Sequence, residues 1–315
     1  MRRIAAATPI ARERPSDRRC LGKGLFLAAA LLAGGCGGSE QEGARSDRGG
    51  RATPEPSQGF PVTVRDDGGR EVVLPAPPQR IISLVPSATS ILLALGQEAQ
   101  FVGRTDFDDE AAVASLPSVG GGLGSSIETI VSLRPDLVVR FEAGSDATTP
   151  RRLDAAGIPH FSIRPNGIED VMRIIGLLGQ AVGEVEAADS IRASLRDELD
   201  EVALRVAGAP RPRVAILGGD PPLAAGPETF LHELVELAGG ANVFADAGAL
   251  YAPVSVEAVL ARDLDLLLVS EGTPVPRALE AIPLRRIPLE VEIPGLGLGA
   301  SARILAGLLH PGLTP

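Results

Sequence analysis

Short apolar runs alternate with longer amphipathic stretches along the chain after residue 60. The runs have the length of buried β-strands, and the stretches between them repeat apolar residues every three or four positions, as on one face of an α-helix. Alternation of strands and helices predicts an α/β fold with mainly parallel sheets. The predicted strands cover residues 80–85, 136–140, 160–164, 213–219 and 265–270, and the predicted helices cover 87–96, 125–134, 149–157, 228–240, 255–262 and 301–310.

Two segments depart from this alternation. Residues 60–75 alternate apolar and polar side chains on either side of the turn sequence DDGG, which predicts a β-hairpin. Residues 184–206 repeat apolar residues at helical spacing without a proline, which predicts one long helix. We therefore expect an N-terminal α/β lobe over 60–166, a helical linker containing the long helix over 167–210, and a C-terminal α/β lobe over 211–315. The ligand cleft is expected between the two lobes.

One short sequence unit occurs twice, 129 positions apart. Residues 126–139 read SIETIVSLRPDLVV, and residues 255–268 read SVEAVLARDLDLLL. In each copy the serine is suited to cap a helix, and the glutamate two residues later falls in the first turn, where the helix dipole favours a negative charge. Helix N-termini face the carboxyl edge of a parallel sheet, which is the edge at which such sheets bind ligands. We expect Glu128 and Glu257 to lie at the rim of the cleft, one on each lobe.

The first 35 residues have the pattern of an export signal. Basic residues are followed by the apolar run GLFLAAALLAGG and then by Cys36. The sequence LLAGGC resembles a bacterial lipobox, which implies that residues 1–35 are removed and that Cys36 is lipidated; an ordinary signal peptide is the alternative, and both the general secretory and the twin-arginine routes stay open. Residues 36–59 are polar and rich in Gly, Ser and Pro, which predicts a disordered tether. We expect an exported lipoprotein, anchored to a membrane and facing the periplasm or the cell exterior.

The composition excludes several classes of function. The 30 basic and 40 acidic residues give a formal charge of −10, and loss of residues 1–35, which hold seven basic and two acidic side chains, lowers it to −15. A body this acidic argues against nucleic acid as a partner. The two cysteines, Cys20 and Cys36, lie within or directly after the export signal, so no thiol remains for a disulfide, a metal site or a nucleophile.

The remaining motifs give no sign of catalysis. His160, His232 and His310 are far apart and have no liganding partner at short spacing, which argues against a metal site. A match to the dinucleotide pattern GxGxxA at residues 295–300 is followed by only 15 residues, too few for a βαβ unit. We therefore predict a protein without catalytic residues, a bound metal or a cofactor. An enzyme on the same scaffold, such as a chelatase or a reductase, is the alternative.

Five segments carry a family resemblance, and they read RIISLVPSATSILLALG, LPSVGGGLGSSIETIVSLRPDLVV, GPETFLHELVELAGGANVFAD, YAPVSVEAVLARDLDLLLV and SARILAGLLHP. In this order, from about residue 80 to residue 311, they resemble the class III periplasmic binding proteins of ATP-driven importers. The cobalamin-binding members are the most similar, followed by haem- and siderophore-binding relatives. The resemblance implies two α/β lobes joined by one long helix, a shallow ligand cleft, and a monomer that delivers its ligand to ABC transporter permease subunits.

The resemblance also implies roles for single residues. Glu128 and Glu257 correspond to the glutamates with which each lobe docks onto arginines of the permease; the alternative is that they serve only the helix dipole. Phe107 and Tyr251 correspond to aromatic ligand contacts of cobalamin binders, and Leu223 stands at a further aromatic position. Two alternatives stay open, since Tyr251 is also suited to ligate haem iron and Phe107 to pack into the core.

The predicted cleft is less aromatic than the resemblance implies, because Gly120, Gly121 and Gly122 stand where a tryptophan often occurs. Arg140 and Arg164 end predicted strands at the cleft edge, where they are placed to pair with anionic groups of a siderophore or with the phosphate of cobalamin. The alternative is that both are plain rim charges. We expect a solute-binding protein that captures a corrinoid, with haem and ferric siderophores as alternative ligands and a receptor or adaptor outside transport as a further possibility.

Overall fold

The computed structural model describes residues 59–121, 124–144 and 146–313. Strands and helices alternate through these residues. The predicted export signal, Cys36 and the predicted tether up to residue 58 lie outside the described residues. The strands are β1 (Val62–Arg65), β2 (Glu71–Leu74), β3 (Ile81–Ser83), β4 (Phe101–Gly103), β5 (Leu137–Phe141), β6 (His160–Ile163), β7 (Arg213–Gly218), β8 (Leu223–Ala225), β9 (Ala241–Asn242), β10 (Tyr251–Pro253), β11 (Leu266–Ser270) and β12 (Leu284–Ile287). The helices are α1 (Pro86–Ala94), α2 (Ile127–Ser132), α3 (Thr148–Ala155), α4 (Ile168–Val182), α5 (Val185–Arg205), α6 (Phe230–Leu237), α7 (Val256–Leu260) and α8 (Leu298–Leu309).

The N-terminal lobe is built on a four-stranded parallel sheet in the order β4-β3-β5-β6. Its register is set by pairs such as Val138 of β5 beside His160 of β6. The central strands β3 and β5 bury nearly all of their side chains, which is why their sequences are continuously apolar rather than alternating. Since the strands are parallel, the carboxyl ends of β3 and β5, at Ser83 and Phe141, share one edge of the sheet.

The predicted hairpin is present and is tied to this sheet. β1 and β2 pair antiparallel on either side of residues 66–70. The buried Asp66 carboxylate accepts hydrogen bonds from the Arg70 N–H at 2.7 Å and from the N–H and the hydroxyl of Ser162 at 2.9 and 2.8 Å. Ser162 belongs to the edge strand β6, so the hairpin turn covers part of an edge that would otherwise be open to pairing with another chain.

The C-terminal lobe contains a mainly parallel sheet, as predicted, to which two antiparallel strands are added at one edge. β7, β11 and β12 pair in parallel, and β9 adds in parallel beside the start of β7. β8 and β10 run antiparallel, β8 against β7 and β10 against β8. Both have only three residues, which is too short to leave a periodic pattern in the sequence. They place Leu223 beside Gly218, at the carboxyl end of β7.

Two consecutive helices connect the lobes. α4 ends at Gly183, whose φ of 82° is the left-handed conformation common at helix ends. α5 then runs unbroken from Val185 to Arg205, which confirms the predicted long helix. One continuous cluster of buried side chains contains residues of both helices together with Val139 of the N-terminal lobe and Val214 of the C-terminal lobe. The lobes therefore share a core, while the proposed boundaries at residues 166 and 211 stay predictions.

Helix α6 of the C-terminal lobe caps the start of α4. The Glu233 carboxylate accepts the Ile168 N–H at 2.6 Å, and the Phe230 N–H donates to the Asn166 carbonyl. A Cβ at Gly167 would lie 2.7 Å from a carboxylate oxygen of Glu233, so the glycine leaves room for the cap. The contact satisfies a backbone donor that the N-terminus of α4 would otherwise leave unpaired. These hydrogen bonds are a polar connection to the C-terminal lobe, in addition to the shared apolar core.

Candidate ligand cleft

A cavity of about 230 Å³ opens at the carboxyl edge of the N-terminal sheet. It is formed by the segment that follows β3, by the end of β5 and by the region around the start of α3. Its lining residues are Leu84, Val85, Pro86, Arg140, Phe141, Asp146 and Thr149. This N-terminal cavity lies where parallel sheets commonly bind ligands.

Arg140 is the basic group of the N-terminal cavity. Its side chain is 9% exposed, and Nη1 donates to the Glu142 carboxylate at 3.2 Å and to the Phe141 carbonyl at 3.4 Å. Its Nε is shielded from solvent and has no hydrogen-bond partner among the described residues. Burial raises the pKa of Asp146, but hydrogen bonds from Thr149 and the charge of Arg140 outweigh burial and lower that pKa overall. A ligand acceptor entering this cavity would thus meet an incompletely paired guanidinium.

A second cavity, of about 200 Å³, opens at the carboxyl edge of the C-terminal sheet. It is bounded by the ends of β7 and β11, by the antiparallel strands β8 and β10, and by the turn at residues 289–292. Its lining residues are Ile216, Gly218, Gly219, Leu223, Ala225, Leu231, Tyr251, Ser270 and Glu292. Two of the predicted ligand contacts, Leu223 and Tyr251, therefore meet in this C-terminal cavity.

Tyr251 offers a polar and an aromatic surface to the C-terminal cavity. The residue is 44% exposed and lies in β10 beside Ala225 of β8. Burial raises the pKa of its phenol, and the charge of Glu292 raises that pKa further. The phenol is therefore protonated at neutral pH, where it can both donate and accept a hydrogen bond.

Glu292 is a site residue that sequence reasoning missed. It lines the C-terminal cavity, and its Oε1 is shielded from solvent without a hydrogen-bond partner among the described residues. Burial raises the pKa of this carboxyl, and a hydrogen bond with Ser270 partly offsets the effect. The sequence LEVE at residues 289–292 contains two equivalent glutamates. Only the short 3₁₀ turn, which buries Val291 and exposes Glu290, decides that Glu292 enters the cavity.

The two cavities are neighbours. Pro86 lines the N-terminal cavity, and Gly295 follows Glu292 by three residues. A Cβ on Gly295 would lie 3.3 Å from the Cβ of Ser87, so the two segments that carry these residues touch. The cavities therefore open on either side of a contact between the lobes, with Arg140 in one and Glu292 in the other.

Phe107 and Arg164, the other two predicted ligand contacts, line neither cavity. The Phe107 ring rests on Gly121, where a Cβ would lie 2.6 Å from the ring. The residue is 63% exposed, which contradicts the alternative that it packs into the core. The Arg164 side chain is 42% exposed, and its Nε donates to the Glu142 carbonyl at 3.3 Å. A ligand role for either residue stays a prediction.

The two glutamates of the repeated unit occupy equivalent positions. Each helix is capped by its predicted serine, which accepts a backbone N–H at 3.2 Å in α2 and at 3.1 Å in α7. Glu128 pairs with Arg152 at 3.2 Å, yet its side chain is 75% exposed. Glu257 is also exposed, and its pKa is lowered by its own backbone N–H and by Ser255. Both charges are open to a partner, and the identity of that partner stays a prediction.

All three histidines have hydrogen-bond partners, and the partner of His232 is the Asn242 side chain at 3.2 Å. His160 is buried between the Ile158 carbonyl at 3.1 Å and the Arg70 guanidinium at 3.2 Å, and burial lowers its pKa. His310 lies 3.0 Å from the Ala238 carbonyl. Across the described residues, no group of three or more His, Cys, Asp or Glu side chains is arranged to hold a metal ion. In that same part of the chain, no helix combines the length and the apolar character needed to cross a bilayer.

The chain is similar to several binding proteins. A family model described as periplasmic binding protein matches residues 81–282. A cobalamin-binding protein from Halobacterium salinarum is 34% identical over 217 residues, which make up 66% of this chain and 58% of the relative, so the chain spans less than two thirds of that relative's length. The ABC transporter substrate-binding lipoprotein YvrC from Bacillus subtilis, itself uncharacterised, is 27% identical over 79% of both chains.

The same arrangement occurs in solved structures. The periplasmic haem-binding protein RhuT from Roseiflexus sp. RS-1, in its apo form, superimposes with a TM-score of 0.65 and 26% sequence identity. The match covers 75% of this chain and 99% of that one. This likeness confirms the predicted fold class, two α/β lobes with a ligand cleft between them.

Proposed function

Since the chain belongs to the periplasmic binding protein family, we propose that it is the lipid-anchored solute-binding protein of an ABC importer, and that it captures a corrinoid such as cobalamin and delivers it to the permease. The observation that carries the proposal is the cleft itself, in which two neighbouring cavities offer apolar walls and a few polar groups. Ligand sites of binding proteins have this composition. The 34% identity to a cobalamin-binding protein supports the choice of ligand.

A corrinoid suits the polar groups of the cleft. Its ring is apolar on both faces, its rim carries amides that donate and accept hydrogen bonds, and its nucleotide carries a phosphate. Arg140 is a partner for the phosphate or for an amide carbonyl, because a guanidinium binds oxygen acceptors through directed N–H groups. Leu223 and Tyr251 offer an apolar and an aromatic surface to the ring. In this proposal Phe107 and Arg164, which lie outside the two cavities, contact parts of the ligand that project from the cleft.

Haem is the second candidate ligand, and Tyr251 is the observation that favours it. A tyrosine can ligate haem iron, and the structurally similar RhuT is a haem-binding protein. The phenolate that binds ferric iron is disfavoured here, because burial and the charge of Glu292 raise the pKa of Tyr251. A ferric siderophore is a third candidate, for which Arg140 would supply the cation.

Delivery requires contact with the permease, and we assign that contact to Glu128 and Glu257. Both are exposed, and both stand in the first turn of a helix that follows a capping serine, one helix in each lobe. Two matched negative charges are suited to a partner surface that carries two basic patches. Anchoring is assigned to Cys36 and the tether that follows it, which would keep the cleft near the membrane that holds the permease.

Binding to a panel of ligands tests the proposed function. We expect cyanocobalamin to bind with micromolar or tighter affinity when its absorbance is followed during titration with purified protein. The chain has no tryptophan and one tyrosine, so the protein adds little to the ligand signal. Haemin and several ferric siderophores serve as comparison ligands. Binding to none of them would contradict the proposal, and preference for haemin would transfer it to the second candidate.

A further inference from the structure

We propose that Glu292 is the residue by which the cleft selects its ligand: its carboxylate receives a hydrogen-bond donor, such as a primary amide, and rejects a ligand that presents a carboxylate at the same place. Together with Ser270 and Tyr251 it forms an acceptor pole in the C-terminal cavity. Arg140 forms a donor pole in the adjoining N-terminal cavity. The inference rests on the proposed function and deepens it, because it specifies which chemical groups the ligand must carry and on which side.

One oxygen of the Glu292 carboxylate lacks a hydrogen-bond partner among the described residues. Its Oε1 is shielded from solvent and accepts no hydrogen bond from the described residues. Buried polar atoms are rarely left in this state, because an unpaired buried acceptor costs about 1–3 kcal/mol. The described side chains that line the cavity include no arginine or histidine to pair with this carboxylate. A donor brought by the ligand would supply the missing hydrogen bond.

The surroundings hold this carboxylate in place. Val291 is fully buried beside it, and Pro288 and Pro294 flank the turn that carries it. The Ser270 hydroxyl at the end of β11 lies 3.3 Å from the Leu217 carbonyl oxygen of β7, beside the Glu292 carboxylate. The acceptor is therefore built into the wall of the cavity rather than free to swing into solvent. Fixed acceptors of this kind discriminate strongly between ligands, because a mismatched group leaves both sides unpaired.

Gly218 and Gly295 leave space around the acceptor pole. A Cβ at Gly218 would lie 2.9 Å from the Ser270 oxygen, so a side chain there would crowd the group that hydrogen-bonds with Glu292. Gly295 brings the segment after Glu292 against Ser87, beside the N-terminal cavity. The acceptor pole therefore lies close to the N-terminal cavity, where the Arg140 Nε has no hydrogen-bond partner among the described residues.

A ligand with donors on one side and acceptors on the other matches this arrangement. A corrinoid meets the requirement, because amides surround its ring and a phosphate lies on one side. A porphyrin with free propionates meets only half of it, since its carboxylates suit Arg140 but it has no peripheral donor for Glu292. A carboxylate placed at Glu292 would put two like charges in a site with little water, which disfavours binding.

Four proteins and two kinds of ligand test the selection. Cyanocobalamin and its monocarboxylic acid, in which one side-chain amide is hydrolysed, are titrated against the wild type, Glu292→Leu and Glu292→Gln. Glu290→Gln is the matched control, because it removes an exposed carboxyl from the same turn. The acid is prepared as separate isomers, so that the amide facing Glu292 is among those changed.

We expect Glu292→Leu to weaken cyanocobalamin binding about 10- to 100-fold, the loss of a hydrogen bond to a charged group. Glu292→Gln keeps an acceptor but loses the charge, so it should bind at least one acid isomer about as well as cyanocobalamin, whereas the wild type should bind that isomer at least about tenfold more weakly. The control should behave as the wild type. Unchanged affinities in both Glu292 variants would overturn the inference and leave the proposed function standing. A wild type that binds no corrinoid would overturn both.

Discussion

At the scale of single residues, the cleft contains acidic side chains that have a charged partner and one that has none among the described residues. Most acidic side chains near it are paired, as Glu142 is with Arg140 at 3.2 Å. Glu292 is the exception, and burial without a cation raises its pKa. Such a group makes the empty protein less stable when it is ionised, and it favours a ligand that restores its hydrogen bonds. Ligand-binding sites often contain polar groups whose hydrogen bonds are incomplete in the empty protein.

Glu292→Gln should stabilise the ligand-free protein at neutral pH. The folded protein holds the Glu292 proton more tightly than the unfolded chain does, so the contribution of this carboxyl to stability is greatest below its unfolded pKa of about 4.3 and is lost as pH rises through its higher folded pKa. Glutamine does not ionise, so the variant does not lose this stability as the pH rises. Urea unfolding at pH 7 and at pH 4 measures the difference. A variant that is less stable than the wild type at pH 7, or a difference that does not shrink towards pH 4, would contradict this view of Glu292.

At the scale of elements, the sequence predicts the long helix, the hairpin and the capped helices well, because each has a local cause. Ser126 and Ser255 cap their helices as their positions predict, since a cap depends on only three or four residues. The antiparallel strands β8 and β10 could not be predicted, because each has only three residues and leaves no periodic pattern in the sequence. Glu292 could not be predicted for a similar reason. Its orientation depends on a turn whose register is set by the buried Val291 and not by a repeating pattern.

The equivalent helices α2 and α7 carry the prediction on docking. Replacing Glu128 and Glu257 by Arg should reduce corrinoid uptake more than about tenfold in vesicles that contain the permease and its ATPase, because opposite charges at the two rims become like charges. Corrinoid affinity in solution should not change. Glu186→Arg is the matched control, since it reverses an exposed glutamate in the first turn of α5, away from the cleft rim. Normal uptake by the double variant would show that the two glutamates serve only their helices, and a loss of affinity would move them into the ligand site.

At the scale of the whole molecule, we expect the two lobes to fold as one unit. The buried cluster that contains α4 and α5 reaches both sheets, and the Glu233 cap ties α6 to α4. A binding protein built in this way is expected to bind its ligand with little closure of the lobes, so the groups that line the cleft are already near their binding positions. Preorganisation of this kind raises affinity by lowering the cost of ordering.

Unfolding of the whole molecule should be a single transition. Tyr251 is the only tyrosine and the chain has no tryptophan, so tyrosine fluorescence reports on the C-terminal cavity while far-ultraviolet circular dichroism reports on all helices. We expect both signals to give the same midpoint in urea, because the lobes share a core. Two separated midpoints would show that the C-terminal lobe unfolds independently.

Competition between cyanocobalamin and haemin distinguishes a cleft suited to an amide-bearing corrinoid from one suited to a porphyrin. Cyanocobalamin and haemin are offered to the purified protein at equal concentrations, each in excess, and the bound ligand is identified by its absorbance after gel filtration. We predict one cyanocobalamin per protein and little haemin. Haemin bound in place of cyanocobalamin would contradict the account and assign the cleft to a porphyrin held by Tyr251.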